Sequence, residues 1–213
     1  MKINDIPVVL HTIDSYSMYW DTWYFLFKKH HKNHGPIYFL SEDKEPSFIK
    51  DVIHIKTGNG EWGERLISGL KNVNSKYLFY MQEDFWATKE FNLNYDIVEL
   101  FEKYNMSQLY IRDMKTINSL ISTTLVEGDL HKFNQHSDYT HSHQFGLWKK
   151  DKLIENIKPN EDPWKNESNG TIRLNKNKHN VYIIDYDWYV TSVRKGKLMD
   201  RGKKVLKKFK LKL

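Results

Sequence analysis

Four short apolar runs, at residues 6–13, 37–40, 52–55 and 77–81, constrain this chain more than any other feature. Runs of this length without polar alternation need cover on both faces, as strands of a parallel sheet do. Helix-patterned segments and breakers separate them. Residues 18–31 place Trp20, Trp23, Tyr24 and Phe27 at helical spacing, and Gly35-Pro36 ends that segment. Gly58-Asn59-Gly60 closes the third run, and residues 61–73 put Leu66, Ile67 and Leu70 on one helix face. Strand and helix in alternation predict an α/β fold: a mainly parallel, Rossmann-like sheet flanked by helices, in a single domain.

In such sheets ligands bind beyond the carboxyl ends of the strands. The four ends carry Asp14, Glu42 and Asp43, Thr57 and Gly58, and Gln82-Glu83-Asp84. The last is the most informative. In YLFYMQEDFW an apolar strand runs into an amide and two carboxylates before aromatics resume. A buried acid without a partner is costly, so either a cation sits there or the strand ends in an ordinary surface turn. The residues alone leave both open. Upstream, Trp62-Gly63-Glu64-Arg65 opens a helix, and Arg65 can reach a phosphate or Asp84, or pair with Glu61 or Glu64. Asp14 can serve a ligand or cap the helix that follows.

The second half is less regular. Residues 95–104 and 150–157 read as helices, and 108–112 and 144–148 as strands. Residues 128–143 are polar and histidine-rich, 160–180 read as polar loop around Trp164, and 181–190 return to strand composition. His141-Ser142-His143 puts two imidazoles on one side of an extended segment, but no further ligands at zinc spacing follow. Asp185-Tyr186-Asp187 is a second pair of acids after a strand-like run, and so a rival metal site.

The chain has no cysteine, which excludes disulfides, thiolate metal sites and a cysteine nucleophile. The opening residues lack the apolar run of a secretory signal, and a cytoplasmic setting is the expectation. The net charge of +6 is uneven: residues 194–213 carry ten Lys or Arg against Asp200 alone, which leaves the body slightly acidic. That distribution argues against a nucleic-acid partner. The tail from 198 to 213 mixes lysines with Val205, Leu206, Phe209, Leu211 and Leu213. It reads as a solvated end, or as a segment that touches an anionic membrane surface.

The order PVVLHTIDSY, YWDTWYFLFKKHH, GPIYFLSEDKE, EWGERLISGL and KYLFYMQEDFW, followed by HQFGLWKKDKLIENI and EDPWKNES, resembles the nucleotide-sugar glycosyltransferases of the GT-A fold. It is most similar to a group of small bacterial and large-virus members. The resemblance spans residues 6–197 and implies one transferase domain over 1–197 with a basic tail after it. It further implies a nucleotide-sugar donor, UDP-linked, and a glycan acceptor for a hexosyl or deoxyhexosyl group. Asp84 matches the metal-facing acid, with Glu83 beside it to hold Mn²⁺ or Mg²⁺, while Gln82 stands where the commonest pattern has its first Asp. Thr12, Asp14, Glu42 and Asp43 match nucleotide-contacting positions, and Arg65 and Gln82 fall on the donor side. Glu167 is the first choice for the base of an inverting transfer and Asp162 the second. Trp164 would stack on a sugar, and His143 would line the sugar or acceptor pocket. Gln82 keeps a second reading open, a non-catalytic nucleotide- or carbohydrate-binding domain with a degenerate site.

Overall fold

The structure is a computed structural model that describes residues 2–93, 96–116 and 121–213. Its centre is a nine-stranded sheet. β1 (Val8–His11), β2 (Ile37–Ser41), β3 (Ile53–Lys56) and β4 (Tyr77–Met81) are the four apolar runs, and they pair in parallel in the order β3-β2-β1-β4. The short β5 (Phe85–Ala87) leaves this sheet, which continues through β6 (Gln108–Arg112), β7 (Thr123–Glu127), β8 (Leu130–Phe133), β9 (Gly146–Lys149) and β10 (Val181–Asp185). The full order is β3-β2-β1-β4-β9-β6-β10-β8-β7. β9 runs antiparallel to both β4 and β6, and β10 is parallel to β6. A mixed, mainly parallel sheet is what the strand-helix alternation predicts.

Side chains alternate across β1, so it feeds two cores. Val8 and Leu10 face one layer with Phe39 and Phe79, covered by α1 (Trp20–His30) and α3 (Ile97–Lys103). Val9 faces the other with Leu40, Leu78 and Tyr80, covered by α2 (Trp62–Lys71), α4 (Lys150–Asn156) and α5 (Pro163–Lys176). β1 and β4 are wholly buried, which is why they carry no polar alternation. Gly146 allows β9 to sit close to β6: a Cβ there would lie 2.8 Å from the Leu109 carbonyl oxygen.

Two expectations are corrected. The polar stretch after residue 160 is no loop but the fourteen-residue α5, capped by the Asp162 carboxylate on the Lys165 N–H (2.8 Å) with Pro163 at its first position. The histidine-rich region, to which no element was assigned from sequence, contributes β8, which pairs with the preceding β7 in a hairpin. The tail is not a solvated end. After β11 (Tyr189–Thr191), which pairs with β5, and the small hairpin of β12 (Val193–Arg194) and β13 (Lys197–Leu198), α6 (Asp200–Phe209) packs on the core. Val205 is buried there, and Leu206, Phe209 and Leu211 lie against it, so this segment turns its apolar side inward and its lysines outward. The expected helix start at Tyr95 lies outside the described residues. No helix among the described residues is long and apolar enough to cross a membrane.

Candidate active site

β4 pairs with β1 on one side and β9 on the other. The turn 82–84 at its carboxyl end therefore lies beside the exit of β1 at His11 and Thr12. Because β9 is antiparallel, the residues leading into it, 142–145, reach the same edge. The turn is pinned by its backbone: the Trp86 indole N–H donates to the Glu83 carbonyl (2.9 Å), and the Ser192 N–H to that of Asp84 (2.8 Å).

A cavity of about 1150 Å³ opens over this edge. Its wall brings together Thr12, Arg65, Gln82, Glu83, Asp84, His143, Trp164 and Glu167, all singled out from sequence. Asp14, Glu42, Asp43 and Asp162 are not part of that wall. Asp14 instead clasps two loops: its carboxylate accepts the N–H groups of Asp43 (3.1 Å) and Lys44 (2.9 Å), and its own N–H donates to Glu42 (2.8 Å). Asp43 accepts from Asn59 at the surface (3.3 Å). Arg65 is buried. It pairs with Glu42 (3.7 Å) rather than Glu61, Glu64 or Asp84, and donates to the carbonyls of Gly60 (3.0 Å) and Thr12 (3.3 Å). Thr12 in turn accepts from the Trp20 indole (2.9 Å).

The acids in the turn after β4 are a different matter. Burial pushes the Glu83 carboxyl up to about 7. Asp84 is raised well above the usual range by burial first, then by the charge of Glu83 beside it. One Asp84 carboxylate oxygen is buried with no hydrogen-bond partner. The buried ion pairs among the described residues lie elsewhere, at Arg65–Glu42 and Arg173–Glu161. Two adjacent carboxylates held out of water without a counter-charge fit a ligand that supplies positive charge.

Their titration gives a direct check. A carboxyl whose folded pKa lies above its unfolded one costs stability only when ionised, so the cost is absent below about pH 4.5 and complete above about pH 7. Glu83→Gln is expected to stabilise the ligand-free chain by roughly 3 kcal/mol at pH 8 and by little at pH 4. Thermal melts across that range measure it; a gain that does not depend on pH would contradict the assignment.

Glu167 faces the same cavity from α5. Its carboxylate accepts the His143 N–H (2.9 Å), which ties α5 to the start of β9. Burial raises its pKa, opposed by that hydrogen bond and by the charge of Arg112. Trp164, one turn earlier, is 56% exposed on the cavity wall, with the Lys195 ammonium 5.5 Å from its ring centre. Its ring is open to the cavity and is not a buried anchor. The acid-Trp-acid stretch thus divides: Asp162 caps the helix, while Trp164 and Glu167, three residues apart, share the cavity face.

His143 is buried against Trp62 (ring centres 4.5 Å apart), and burial holds it well below the usual histidine range. His141 bonds to Asn166 (2.8 Å). Several cavity residues escaped the sequence reading. His11 is hidden inside an apolar run, and Arg112 and Arg201 also line the wall. Arg194 and Lys195, which open the basic run noted from sequence, line it as well, while Lys197 does not. Arg112 ends β6, so the strand-end rule would have found it had it been carried past the fourth strand. The rival acids are engaged: Asp185 accepts the Met114 N–H (2.8 Å), and Asp187 pairs with Lys89.

Among the described residues no cluster of three or more His, Asp or Glu side chains is suited to a metal ion. Asp84 and Glu83 offer oxygen donors only, one of them unpartnered. This suits Mg²⁺ or Mn²⁺, which accept one or two carboxylates and take the rest of their shell from water and phosphate.

No family model matches the chain, and no curated protein sequence matches it. Solved structures do. TarS 1-349 of S. aureus in complex with UDP-GlcNAc is 14% identical, with a TM-score of 0.62 over 93% of this chain and 60% of that one. The same protein in complex with UDP is 14% identical at a TM-score of 0.59, over 89% and 60%. A UDP-glucose pyrophosphorylase complexed with UDP-glucose is 6% identical at 0.53, over 86% of this chain and 91% of its own. The chain thus spans about 60% of TarS 1-349. It has the fold of these nucleotide-sugar proteins, the GT-A, Rossmann-like type expected from the sequence.

Proposed function

We propose that this chain is a glycosyltransferase that moves a hexosyl or deoxyhexosyl group from a UDP-sugar to a glycan hydroxyl. One observation carries the reading: a single cavity at the carboxyl edge of the sheet holds two acids without a counter-charge in the turn after β4 and, on a separate element, the half-buried carboxylate Glu167. The neighbours crystallised with UDP and UDP-GlcNAc support the donor class. The volume, larger than a typical small-molecule pocket, suits an extended ligand.

The residues divide the work. Asp84 and Glu83 would hold Mn²⁺ or Mg²⁺, which when bound supplies positive charge against the departing diphosphate. Arg194 and Lys195, from the β12–β13 hairpin, add fixed charge at the same cavity. Trp164 offers its ring to a sugar face. Glu167 takes the proton of the acceptor hydroxyl as that oxygen displaces the diphosphate at the anomeric carbon, with inversion. A binding domain without catalysis has no need of Glu167 in the cavity, and this favours the enzyme. Any membrane contact would rest on the outward lysines of α6, since its apolar side is occupied by the core.

Calorimetric titration of UDP, GDP, ADP and their sugars, with and without Mn²⁺, tests the reading. UDP and a UDP-sugar are expected to bind, at least tenfold tighter with Mn²⁺. Failure of every nucleoside diphosphate to bind in both conditions would remove the transferase assignment.

A further inference from the structure

A second cavity, of about 210 Å³, lies against the first. The two share Arg112, Thr116, Tyr139, Gln144 and Glu167 in their walls. The smaller chamber also has an apolar lining of Ile121, Phe133 and Ile183. It is too small for a nucleotide and suits one ring or one acidic group.

Arg112 decides what belongs there. One guanidinium nitrogen, Nη2, donates to the Thr116 hydroxyl (3.2 Å), and Nε is buried with no hydrogen-bond partner. The arginine ion pairs among the described residues belong to Arg65 and Arg173, not to Arg112. Glu167 shares its wall and feels the Arg112 charge, but its carboxylate is bonded to the His143 amide and forms no ion pair with Arg112 among the described residues. A guanidinium fork at the seam of two cavities, with an apolar lining behind it, is a strong site for a planar or tetrahedral anion.

We propose that the smaller chamber is the acceptor subsite, and that it takes an acceptor bearing a carboxylate or phosphate group close to the hydroxyl that is glycosylated. Arg112 holds the anion, and the neighbouring hydroxyl is thereby presented to Glu167, the one carboxylate common to both chambers. The word acceptor rests on the transferase reading above; the anion site rests on Arg112 alone.

The test uses the full chain and three soluble probes: glucuronate, glucose 6-phosphate and glucose. Ligand-observed NMR titrations are run with and without saturating UDP and Mn²⁺. At least one of the two acids is expected to bind tenfold or more tighter than glucose, and the comparison between them separates carboxylate from phosphate. Arg112→Gln is expected to erase that preference. Arg112→Lys, which keeps the charge but not the fork, should retain part of it and guards against a variant that merely misfolds. Three results would overturn the proposal: glucose binding as tightly as both acids, neither acid binding, or an unchanged preference in Arg112→Gln. Displacement of the acids by UDP would also overturn it, because they would then have occupied the larger cavity. UDP affinity in the same titrations is a separate readout. Its absence would count against the transferase, while an Arg112-dependent anion preference would still assign the chamber.

Discussion

Glu167→Gln is expected to lower turnover by about a thousandfold while leaving donor affinity unchanged. Loss of a positioned general base costs on the order of 10²- to 10⁴-fold, and a half-buried carboxylate whose pKa is raised by desolvation belongs in that range. Glutamine keeps a carbonyl oxygen to accept the His143 N–H, so the tie between α5 and β9 survives. The variant therefore reports on proton transfer and not on folding. UDP release from a UDP-sugar measures the rate, and calorimetry measures the binding. The pH profile adds a second signature. The wild-type rate should rise as Glu167 deprotonates, and the variant should be flat through that range. Loss of donor affinity with intact turnover per bound donor would reverse the assignment.

Asp84→Asn is expected to do the opposite. Donor binding should lose its dependence on Mn²⁺, and kcat/KM should fall by about three orders of magnitude, the scale of several kcal/mol of charge stabilisation at a departing phosphate. The amide still fills the same volume, and it removes one of two adjacent buried carboxyls whose charges oppose each other. The ligand-free protein should therefore melt no lower than wild type near pH 8. Lost activity together with retained or raised stability separates a ligand-binding acid from a structural one. If Mn²⁺ strengthened UDP binding equally in both proteins, the metal would have to sit elsewhere.

The first half of this fold was legible because β1, β2 and β4 are buried on both faces and so are written as plain apolar runs, with β3 as the more exposed edge strand. Val8, Val9 and Leu10 are all buried although they alternate sides, and the same holds along β4. α5 was missed because its inward face is built from Asn166, Gly170, Thr171 and Leu174, a helical spacing carried mostly by small or polar residues. A hydrophobicity pattern is silent there, though Asp162-Pro163 did mark the start. α6 had its signal in Val205, Leu206 and Phe209, and the lysines between them masked it. Among the site residues, those at strand ends were readable by one topological rule. Trp164 and Glu167 were found only through resemblance, since nothing local says that they share a helix face. Asp14 and Glu42 show the limit of that route: matching positions can hold loops together without reaching the cavity.

The reversed strand β9 has a consequence for how such a protein can change. A parallel sheet presents only strand exits at its working edge, so each contribution depends on the loop that leaves. β9 contributes its beginning instead, and the register Tyr80 to Gly146 fixes that beginning beside the exit of β4. Residues more than sixty positions apart in the chain are thus spaced by sheet geometry and not by the length of what lies between them. The intervening excursion, which carries Arg112, Ile121 and Phe133 of the smaller chamber, can be rebuilt for a new acceptor while Glu83, Asp84 and His143 keep their distances. The fold separates the part that must stay constant from the part that is free to diversify.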